Sequence, residues 1–487
     1  MNEETPTPIT MPATTTPPLN PIPPPLPCPS LQDTLPVPPP RKRRGTVVKM
    51  LVIATLALLL LVPLTMVKSV LTERQDSRNE AITNITSTWG TEQIIVGPVL
   101  IIPYKYPVKT RKERVVDGRM EQMEVCENTI AYAHFLPSDL KISGKLEPST
   151  HHRGIYETVV YRASLDIKGT FARPSFDEWK VKPENIMWED AIVTVGITDL
   201  RGASDTINIK WGNELFAMKP GSKLQNLSSG IHAKLGAKAF NADTIVFELP
   251  LVLNGSRSVS FAPVGSQTEA LLASTWPDPS FQGAFAPLKT KISADGFEAL
   301  WQVSCYGRSF DQQWSTQEGA THVDPATLRA AMLGVDLIPA VDAYRYVERS
   351  IKYGILFIAL IFTAFFLFEV LASIRVHPFQ YTIIGFALCL FYLALLSLSE
   401  VMSFGMAYLT GAIASALMIT LYSMKALRSS WRALAVAGEL VAIYGFLYIL
   451  LRQQDYSLLF GTAGLFIVLA IVMYTTRNID WYARDEK

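Results

Sequence analysis

The sequence has few charged residues and almost no net charge. Charged residues make up 18% of its 487 residues, against about 25% in a typical soluble domain. A net charge of +1, from 44 basic and 43 acidic residues, gives no concentrated basic surface and so excludes nucleic acid as a partner. The cysteines are too few and too scattered for a disulfide framework or a cysteine-based zinc site. They are Cys28, Cys126, Cys305 and Cys389.

Sequence motifs of known enzymes are also missing. The chain has no G-x-S-x-G, no H-E-x-x-H, no P-loop and no dinucleotide-binding glycine pattern, so we predict neither a catalytic residue nor a cofactor. Ser138 and Lys141 match the S-x-x-K motif of penicillin-interacting enzymes, but its companion motifs are absent and we interpret the match as coincidence. His151 and His152 are adjacent and on a strand would point to opposite faces, so we predict a solvated loop there rather than a metal site.

The apolar residues are concentrated in six runs, each about long enough to cross the roughly 30 Å hydrocarbon core of a bilayer. The runs are Met50–Val67, Tyr353–Ile374, Tyr381–Leu398, Phe404–Met424, Ala433–Leu451 and Leu458–Tyr474. They predict a multi-pass α-helical membrane protein with one isolated span followed by a cluster of five. A bilayer is therefore the first predicted partner.

Basic residues in the short flanks predict the orientation of these spans. If the N-terminus is cytoplasmic, twelve basic residues lie inside and Arg452 alone lies outside. The twelve are Arg41, Lys42, Arg43, Arg44, Lys49, Arg375, Lys425, Arg428, Arg432, Arg477, Arg484 and Lys487. The first run follows a long tail and precedes no small-residue cleavage site, so we interpret it as an uncleaved signal-anchor. Both termini are then cytoplasmic, in a bacterial inner membrane.

The chain divides into five parts. Residues 1–46 form a cytoplasmic tail whose first 40 residues hold 15 of the 32 prolines, which predicts an extended or disordered segment. This tail is either a docking segment for a proline-binding partner or a spacer. Residues 47–67 are the signal-anchor and residues 68–352 a periplasmic domain. Residues 353–475 are the bundle of five membrane helices, and residues 476–487 a cytoplasmic C-terminal tail.

Alternation of apolar and polar residues dominates the periplasmic domain and predicts strands. The predicted strands are Val159–Phe171, Thr206–Trp211, Ile94–Tyr104, Ala191–Leu200, Thr244–Leu253 and Leu300–Gly307. Turns are predicted at Asn254-Gly255 and Arg201-Gly202. Many short strands without long helices favour a large antiparallel, sandwich-like β domain. Helical spacing at its two ends, in residues 68–89 and 341–351, predicts two juxtamembrane helices that pack together as a stalk.

Two carboxyl groups within the predicted spans are candidate functional residues. Glu369 and Glu439 lie roughly 8–9 Å inside the cytoplasmic ends of their helices, where an ionisable group is costly and usually faces a partner or a cavity. One hypothesis is a proton or ion site built by the pair. The other is that each reaches the interface or bonds to a neighbour such as Tyr444, His377 or Arg375. Ala407, Gly411 and Ser415 form a small-residue seam on the fourth span, which indicates close helix packing.

Five sequence blocks resemble a known family. They are Trp89-Gly90-x-x-Gln93-x-x-x-Gly97-Pro98-Val99-Leu100-x-Ile102-Pro103-Tyr104, Arg153-Gly154-Ile155-Tyr156-Glu157, Lys352-Tyr353-Gly354-Ile355-Leu356-Phe357-Ile358 through Glu369, His377-Pro378-x-Gln380-Tyr381, and Leu395-Leu396-Ser397-Leu398-Ser399-Glu400. In this order, over roughly residues 68–475, they resemble the CreD family of bacterial inner-membrane proteins. We interpret most of them as scaffold: Gly97-Pro98 as a strand edge or bend, and His377-Pro378 as a tight hairpin between spans.

The resemblance implies a role in cell-envelope integrity and in tolerance of β-lactams or colicins, with expression under a two-component system. It implies no catalytic residue. We therefore expect a non-enzymatic protein whose β domain contacts another envelope component, either an envelope protein or peptidoglycan. The alternative is a transporter or lipid-handling protein that uses Glu369 and Glu439. A cell-wall hydrolase is disfavoured. The oligomeric state and a disulfide between Cys126 and Cys305 stay open.

Overall fold

The computed structural model describes residues 46–116, 119–203, 206–224, 227, 229–317, 325–337, 343–371, 376–453 and 456–477. Most of the predicted proline-rich tail and of the C-terminal tail lies outside these residues. The helices are α1 (Thr46–Leu59), α2 (Leu61–Trp89), α3 (Pro325–Ala330), α4 (Ala343–Lys352), α5 (Gly354–Leu371), α6 (Pro378–Ser399), α7 (Phe404–Ala426), α8 (Ser430–Arg452) and α9 (Ser457–Thr476).

The strands all lie between α2 and α4. They are β1 (Gln93–Val116), β2 (Arg119–Phe135), β3 (Asp139–Arg153), β4 (Tyr156–Ala172), β5 (Ile192–Ile197), β6 (Asn208–Trp211), β7 (Glu214–Ala217), β8 (Lys219–Pro220), β9 (Gly230–Lys234), β10 (Thr244–Ser256), β11 (Ser258–Phe261), β12 (Gln267–Ser274), β13 (Pro279–Gly283), β14 (Lys289–Ser293), β15 (Gly296–Ser304), β16 (Gln313–Ser315) and β17 (Leu333–Leu337).

These strands form two sheets that share one core. One sheet has the order β13-β17-β11-β1-β5-β9-β8, with β2 also paired to β1 and to β16, and the other has the order β14-β15-β12-β3-β4-β10-β6-β7. Their inward side chains make a single apolar cluster that includes Trp211, Trp301 and Tyr104. The predicted β-rich, sandwich-like domain is thereby confirmed. The sheets are mostly antiparallel, but β1 pairs with β11 and β3 pairs with β12 in parallel.

The period of two that predicted the strands is visible in their burial. Along β10, Ile245, Phe247 and Leu249 are buried, while Thr244 and Val246 between them are exposed. Because successive side chains of a strand point to opposite faces, this alternation places one row in the core and the other towards water. The predicted turn at Asn254-Gly255 is wrong, since both residues belong to β10.

Gly255 lies within β10 for a steric reason. A Cβ atom at this position would come 2.4 Å from the ring of Tyr161 on the neighbouring strand. Gly255 is therefore needed for the close approach of the Tyr161 ring, and it does not form a hairpin turn. The chain turns at Arg257 instead, which has a positive φ of 59°.

Six helices of the described chain are long and apolar enough to cross a membrane, as predicted. The first is the nearly continuous helix formed by α1 and α2, and the others are α5 to α9. The predicted stalk is confirmed, because α2 and α4 pack against each other next to the β domain. The predicted seam on α7 faces α6: Gly411 lies against Phe391, and the Ser415 hydroxyl donates to the Ala387 carbonyl (3.3 Å).

Candidate functional site

Helix α2 is fastened to the β domain by the Trp89-Gly90 pair. The indole Nε1 of Trp89 donates to the carbonyl of Tyr161 on β4 (3.3 Å), and its ring meets that of His151 edge-on at 4.7 Å. Gly90 has a φ of 156°, and a Cβ atom there would lie 2.7 Å from the carbonyl oxygen of Asn254. Only glycine fits such an approach. The first block of the sequence is thus the joint between a helix and two strands.

A buried polar network continues this joint into β1. The side chain of Gln93 donates to the carbonyl oxygens of Asp199 (2.8 Å) and Asn254 (2.7 Å). The Asp199 carboxylate accepts the N–H of Thr91 (3.1 Å) and pairs with the guanidinium of Arg201 (2.9 Å). Burial alone would raise the pKa of Asp199, but hydrogen bonds from Arg201 and Thr91 hold that pKa below its usual value.

Gly97-Pro98 lies four residues further along β1. The pairing of β1 with β5 shifts register between Val96 and Val99, so the predicted bend is present as an irregularity of the ladder. The predicted sheet edge is wrong, because β1 is bordered by β5 on one side and by β11 and β2 on the other. A Cβ atom on Gly97 would approach the Thr194 carbonyl oxygen at 3.0 Å. Close packing against β5 thus accounts for this glycine.

The second block forms the tip of the β3–β4 hairpin. Arg153 and Tyr156 are the last paired residues, and Gly154 and Ile155 form the turn between them. Gly154 has a φ of 64° with open space around it, so its backbone conformation, and not crowding, explains the glycine. Tyr156 lies beside Arg74 of α2 and Tyr344 of α4, and it raises the pKa of both side chains. This tip therefore touches both helices of the stalk.

Glu400, the last residue of the fifth sequence block, lies beside the same two helices of the stalk. It follows α6, accepts a hydrogen bond from the Tyr344 hydroxyl (3.1 Å) and lies 3.8 Å from Nε of Arg74. The guanidinium of Arg78 lies over the Tyr344 ring at 5.7 Å. Burial, followed by the nearby Glu400 carboxylate, raises the pKa of Tyr344. We call Arg74, Arg78, Tyr156, Tyr344 and Glu400 the joint cluster; it connects β domain, stalk and membrane helices.

A second contact of the stalk is made by Arg349 of α4. Its guanidinium donates to the carbonyl oxygens of Leu451 (3.3 Å), Leu450 (3.5 Å) and Gln453 (3.3 Å) at the end of α8. The last carbonyl groups of a helix have no partner within it and carry partial negative charge, so a cation is favourable there. Arg349 was not singled out by the sequence, where it is one of several charges on an amphipathic helix.

Glu369 lies at the other end of the bundle and is paired. It forms an ion pair with Lys49 of α1 and accepts a hydrogen bond from the Tyr381 hydroxyl of α6 (3.3 Å). Lys49 also donates to the carbonyl of Val376 (3.1 Å). This agrees with the hypothesis of a bonded neighbour, but the neighbour is neither Tyr444 nor His377. Arg375 lies outside the described residues.

His377 and Pro378 begin α6 as predicted for a tight connection between spans. The N–H of Phe379 donates to Nδ1 of His377 (3.2 Å), and the His377 N–H donates to the side chain of Gln380 (3.0 Å). Pro378 occupies the first helical position, where its missing N–H costs nothing. The block is a reciprocal helix cap.

Glu439 is far less constrained than Glu369. It lines a cavity of about 540 Å³ between α5, α8 and α9, whose other walls are almost entirely apolar. It makes no hydrogen bond or ion pair with any residue that the structure describes. The cavity is bordered by Leu367, Phe368 and Leu371 of α5, whereas Glu369 faces α1 and α6. The structure therefore does not bring the two carboxyl groups together in one site.

The remaining candidates lie apart from one another. His151 and His152 belong to β3, so the predicted loop is wrong, and His151 packs on Trp89 while His152 lies 3.8 Å from Glu157. Within the described ranges, no three His, Cys, Asp or Glu residues are grouped for a metal ion. Cys126 and Cys305 are free thiols.

Together, the spans, the β domain and the joint cluster define a multi-pass membrane protein whose large β domain contacts one end of its helix bundle through the stalk and the joint cluster. The family model "Inner membrane protein CreD" matches residues 45–482. Inner membrane protein CreD of Escherichia coli (strain K12) is 31% identical over 429 residues, which cover 88% of this chain and 91% of the relative. The chain belongs to the CreD family, and it is a multi-pass inner-membrane protein.

Proposed function

We propose that the chain maintains the integrity of the cell envelope without catalysing a reaction, and that its β domain contacts another envelope component. The observation that carries this proposal is the joint cluster. Residues from sequence blocks in both halves of the chain, Tyr156 and Glu400, meet there through Arg74 and Tyr344. A protein that transmits or resists force between a periplasmic component and the membrane needs such a rigid connection.

The proposed orientation has both termini in the cytoplasm and the β domain in the periplasm. The twelve basic residues against one in the short flanks support it. Lys49 and Arg432 belong to the basic side, and Lys49 pairs with Glu369 at the end of the bundle away from the joint cluster. Labelling of single cysteines with an impermeant reagent tests the orientation: a thiol placed at Asn213 should react in intact cells, and one placed at Arg428 should not.

A non-catalytic role is supported by how the sequence blocks are used. Trp89, Gly90, Gln93, Gly97 and Tyr156 are engaged in packing and hydrogen bonds between elements. Such contacts position whole elements, and among these five residues no nucleophile lies beside a base. The same blocks in an enzyme would be expected to line a cleft.

The test uses full-length variants in a deletion strain, with growth under detergent or β-lactam stress as the readout and immunoblots for protein level. Residues 1–352 alone would lose Glu400 and the α8 carbonyl groups, so truncation would disturb the joint itself. We expect Tyr156→Ala combined with Glu400→Ala to abolish rescue at normal protein level, and so should charge reversal of Lys141, an exposed residue of β3. Glu348→Gln, which breaks an exposed pair with Lys352 on the stalk (2.9 Å), is the control and should rescue fully.

A second candidate function, transport or lipid handling, is favoured by the cavity that holds Glu439. Glu439→Gln distinguishes the two. Under the leading proposal this variant and Glu369→Gln rescue growth. Loss of rescue by Glu439→Gln at normal protein level, with the joint variants still active, would replace the leading proposal by the second one.

A further inference from the structure

The joint cluster indicates where the surface of the bilayer lies. Helix α6 has 22 residues and is therefore about 33 Å long, close to the thickness of the hydrocarbon core. Glu400 follows its last residue and so lies at the membrane surface on the β-domain side. The next residues, Val401 and Met402, are exposed apolar side chains in the short connection to α7. A bilayer that covers α6 and α7 would cover these two as well.

The tip of the β3–β4 hairpin lies at this same level. Tyr156 lies beside Arg74, and Nε of Arg74 lies 3.8 Å from the Glu400 carboxylate. One residue before Tyr156, at the outermost point of the hairpin, is Ile155, which is 57% exposed. The contacts of Tyr156 thus hold the large apolar side chain of Ile155 beside the membrane surface.

The chemistry of this tip is unusual for a turn in water. Two-residue hairpin turns favour Gly, Asn, Asp and Ser, because these residues adopt the backbone angles of the turn or hydrogen-bond to its backbone, and none of them exposes an apolar side chain to water. The β6–β7 hairpin follows that rule with Gly212-Asn213, and Gly212 has a φ of 62°, close to the 64° of Gly154. The glycine has nearly the same backbone conformation in the two turns, but the residue after it is Asn213 in the β6–β7 turn and Ile155 in the β3–β4 turn.

A cation accompanies the exposed isoleucine. Arg153 is exposed, and within the described chain it has no ion pair or hydrogen bond from its guanidinium. Arginine binds phosphate groups with two parallel hydrogen bonds. An apolar residue next to a free cation is the pattern with which a peripheral segment enters the boundary between lipid headgroups and acyl chains.

We propose that the tip of the β3–β4 hairpin inserts into the leaflet on the β-domain side, with Ile155 at the acyl boundary and Arg153 bound to phospholipid phosphate groups. The insertion adds a second membrane contact to the β domain, beside the stalk. Because Tyr156 touches both helices of the stalk, this contact lies directly beside the stalk and supports the β domain at the membrane surface. It does not depend on the proposed function or on which side of the membrane the β domain occupies.

The test places an environment-sensitive fluorophore on the tip of the full-length protein. Cys28, Cys126 and Cys305 are replaced by Ser and the buried Cys389 is kept, after which Ile155→Cys or Asn213→Cys is labelled with NBD in lipid nanodiscs. Lipids that carry a nitroxide near the headgroup should quench the label at position 155 at least about twofold more than the label at position 213. Equal quenching at both positions, with full access of aqueous iodide to position 155, would refute insertion.

The role of Arg153 is tested with the same label. In nanodiscs that contain phosphatidylglycerol besides phosphatidylcholine, lipid quenching at position 155 should rise, and Arg153→Gln should reduce it by roughly half. Lys210→Gln, a charge removed next to the other hairpin, is the matched control and should change nothing. If the label at position 155 is quenched as strongly in the Arg153→Gln variant as in the parent protein, in both kinds of nanodisc, Arg153 does not bind the phosphate groups.

Discussion

The β domain and the helix bundle use apolar residues in opposite ways. In the β domain they are separated by burial: Trp211 is 2% exposed, and the strand residues that face outward are largely charged or polar. In the bundle they lie on both sides. Phe365 of α5 is fully buried, whereas Phe466 of α9 is 73% exposed and would face lipid. A large apolar residue therefore indicates a buried position in the β domain, but in the bundle it can be either buried or exposed.

This difference shows what must hold the bundle together. Removal of apolar surface from water drives the β domain to fold, but lipid tails are as apolar as leucine, so burial gives helices in a membrane no comparable drive. The bundle relies instead on close packing at small residues, such as Gly411 against Phe391, and on polar contacts. Lys49 with Glu369, Arg349 with the end of α8, and the joint cluster are such contacts.

The largest expected effect tests this contrast directly. Trp211 packs against Phe171 (5.2 Å between ring centroids) and Phe247 (6.3 Å), so Trp211→Ala should lower the free energy of unfolding of the β domain by about 3–5 kcal/mol. Phe466→Ala should change the stability of the bundle by no more than about 0.5 kcal/mol. Denaturant unfolding of the purified protein in lipid or detergent measures both. Similar losses in the two variants would contradict the contrast.

The second prediction concerns polar contacts in the bundle. Lys49→Ala leaves the Glu369 carboxylate, which is 10% exposed, without its cation, and should cost about 2–3 kcal/mol. Adding Glu369→Gln removes the unpaired charge, so the double variant should recover most of that loss. Unfolding in mixed micelles provides the measurement. A double variant as unstable as Lys49→Ala would show that the pairing of charge is not what matters.

Much of the architecture follows from local sequence patterns. The predicted span Phe404–Met424 and the observed α7 begin at the same residue, because hydropathy is a property of one segment alone. The predicted strand Val159–Phe171 lies within β4 for a similar reason: its period of two is local. The parallel pairing of β1 with β11 and of β3 with β12 has no local signature, since it depends on residues far apart in the chain.

The candidate sites were less predictable for the same physical reason. Glu369 stood out because a carboxyl group within a span is costly, but its partner Lys49 lies 320 positions away and resembles any flanking cation. Tyr156 and Glu400 were noted only as members of family blocks. Arg74 and Tyr344, which connect them, look like ordinary residues of amphipathic helices. Only the folded chain brings these residues together.

The third prediction tests how strongly the joint cluster couples the two regions. Glu400→Gln weakens a partly exposed pair with Arg74 and should cost only about 1 kcal/mol. We expect wider distance distributions between spin labels on Asn213 and Thr382, with the free energy of unfolding of each region changed by no more than that small amount. Glu348→Gln, on the same stalk, is the control. Unchanged distributions in Glu400→Gln would mean that the joint does not depend on this charge.

The smallest effect is expected at a half-buried carboxyl group of the β domain, where partial burial works against folding. Burial and the nearby Glu92 carboxylate raise the pKa of Asp336 on β17. A carboxyl group whose pKa is raised on folding costs stability above that pKa and nothing below the unfolded value of about 3.9. Asp336→Asn keeps an acceptor for the Gln282 side chain and should therefore stabilise the β domain near neutral pH, by less than about 1 kcal/mol.

This gain should shrink as the pH falls and disappear by about pH 3, where Asp336 is protonated in both states. Denaturant unfolding of the parent and of Asp336→Asn across that range provides the measurement, with the exposed Asp278→Asn as control. A gain that persists at low pH would mean that packing, and not charge, opposes folding at this position. In that case the charge of Asp336 would be compensated by the nearby Arg257 guanidinium. Arg257 would then stabilise this carboxylate in the β domain as Lys49 stabilises the Glu369 carboxylate in the bundle.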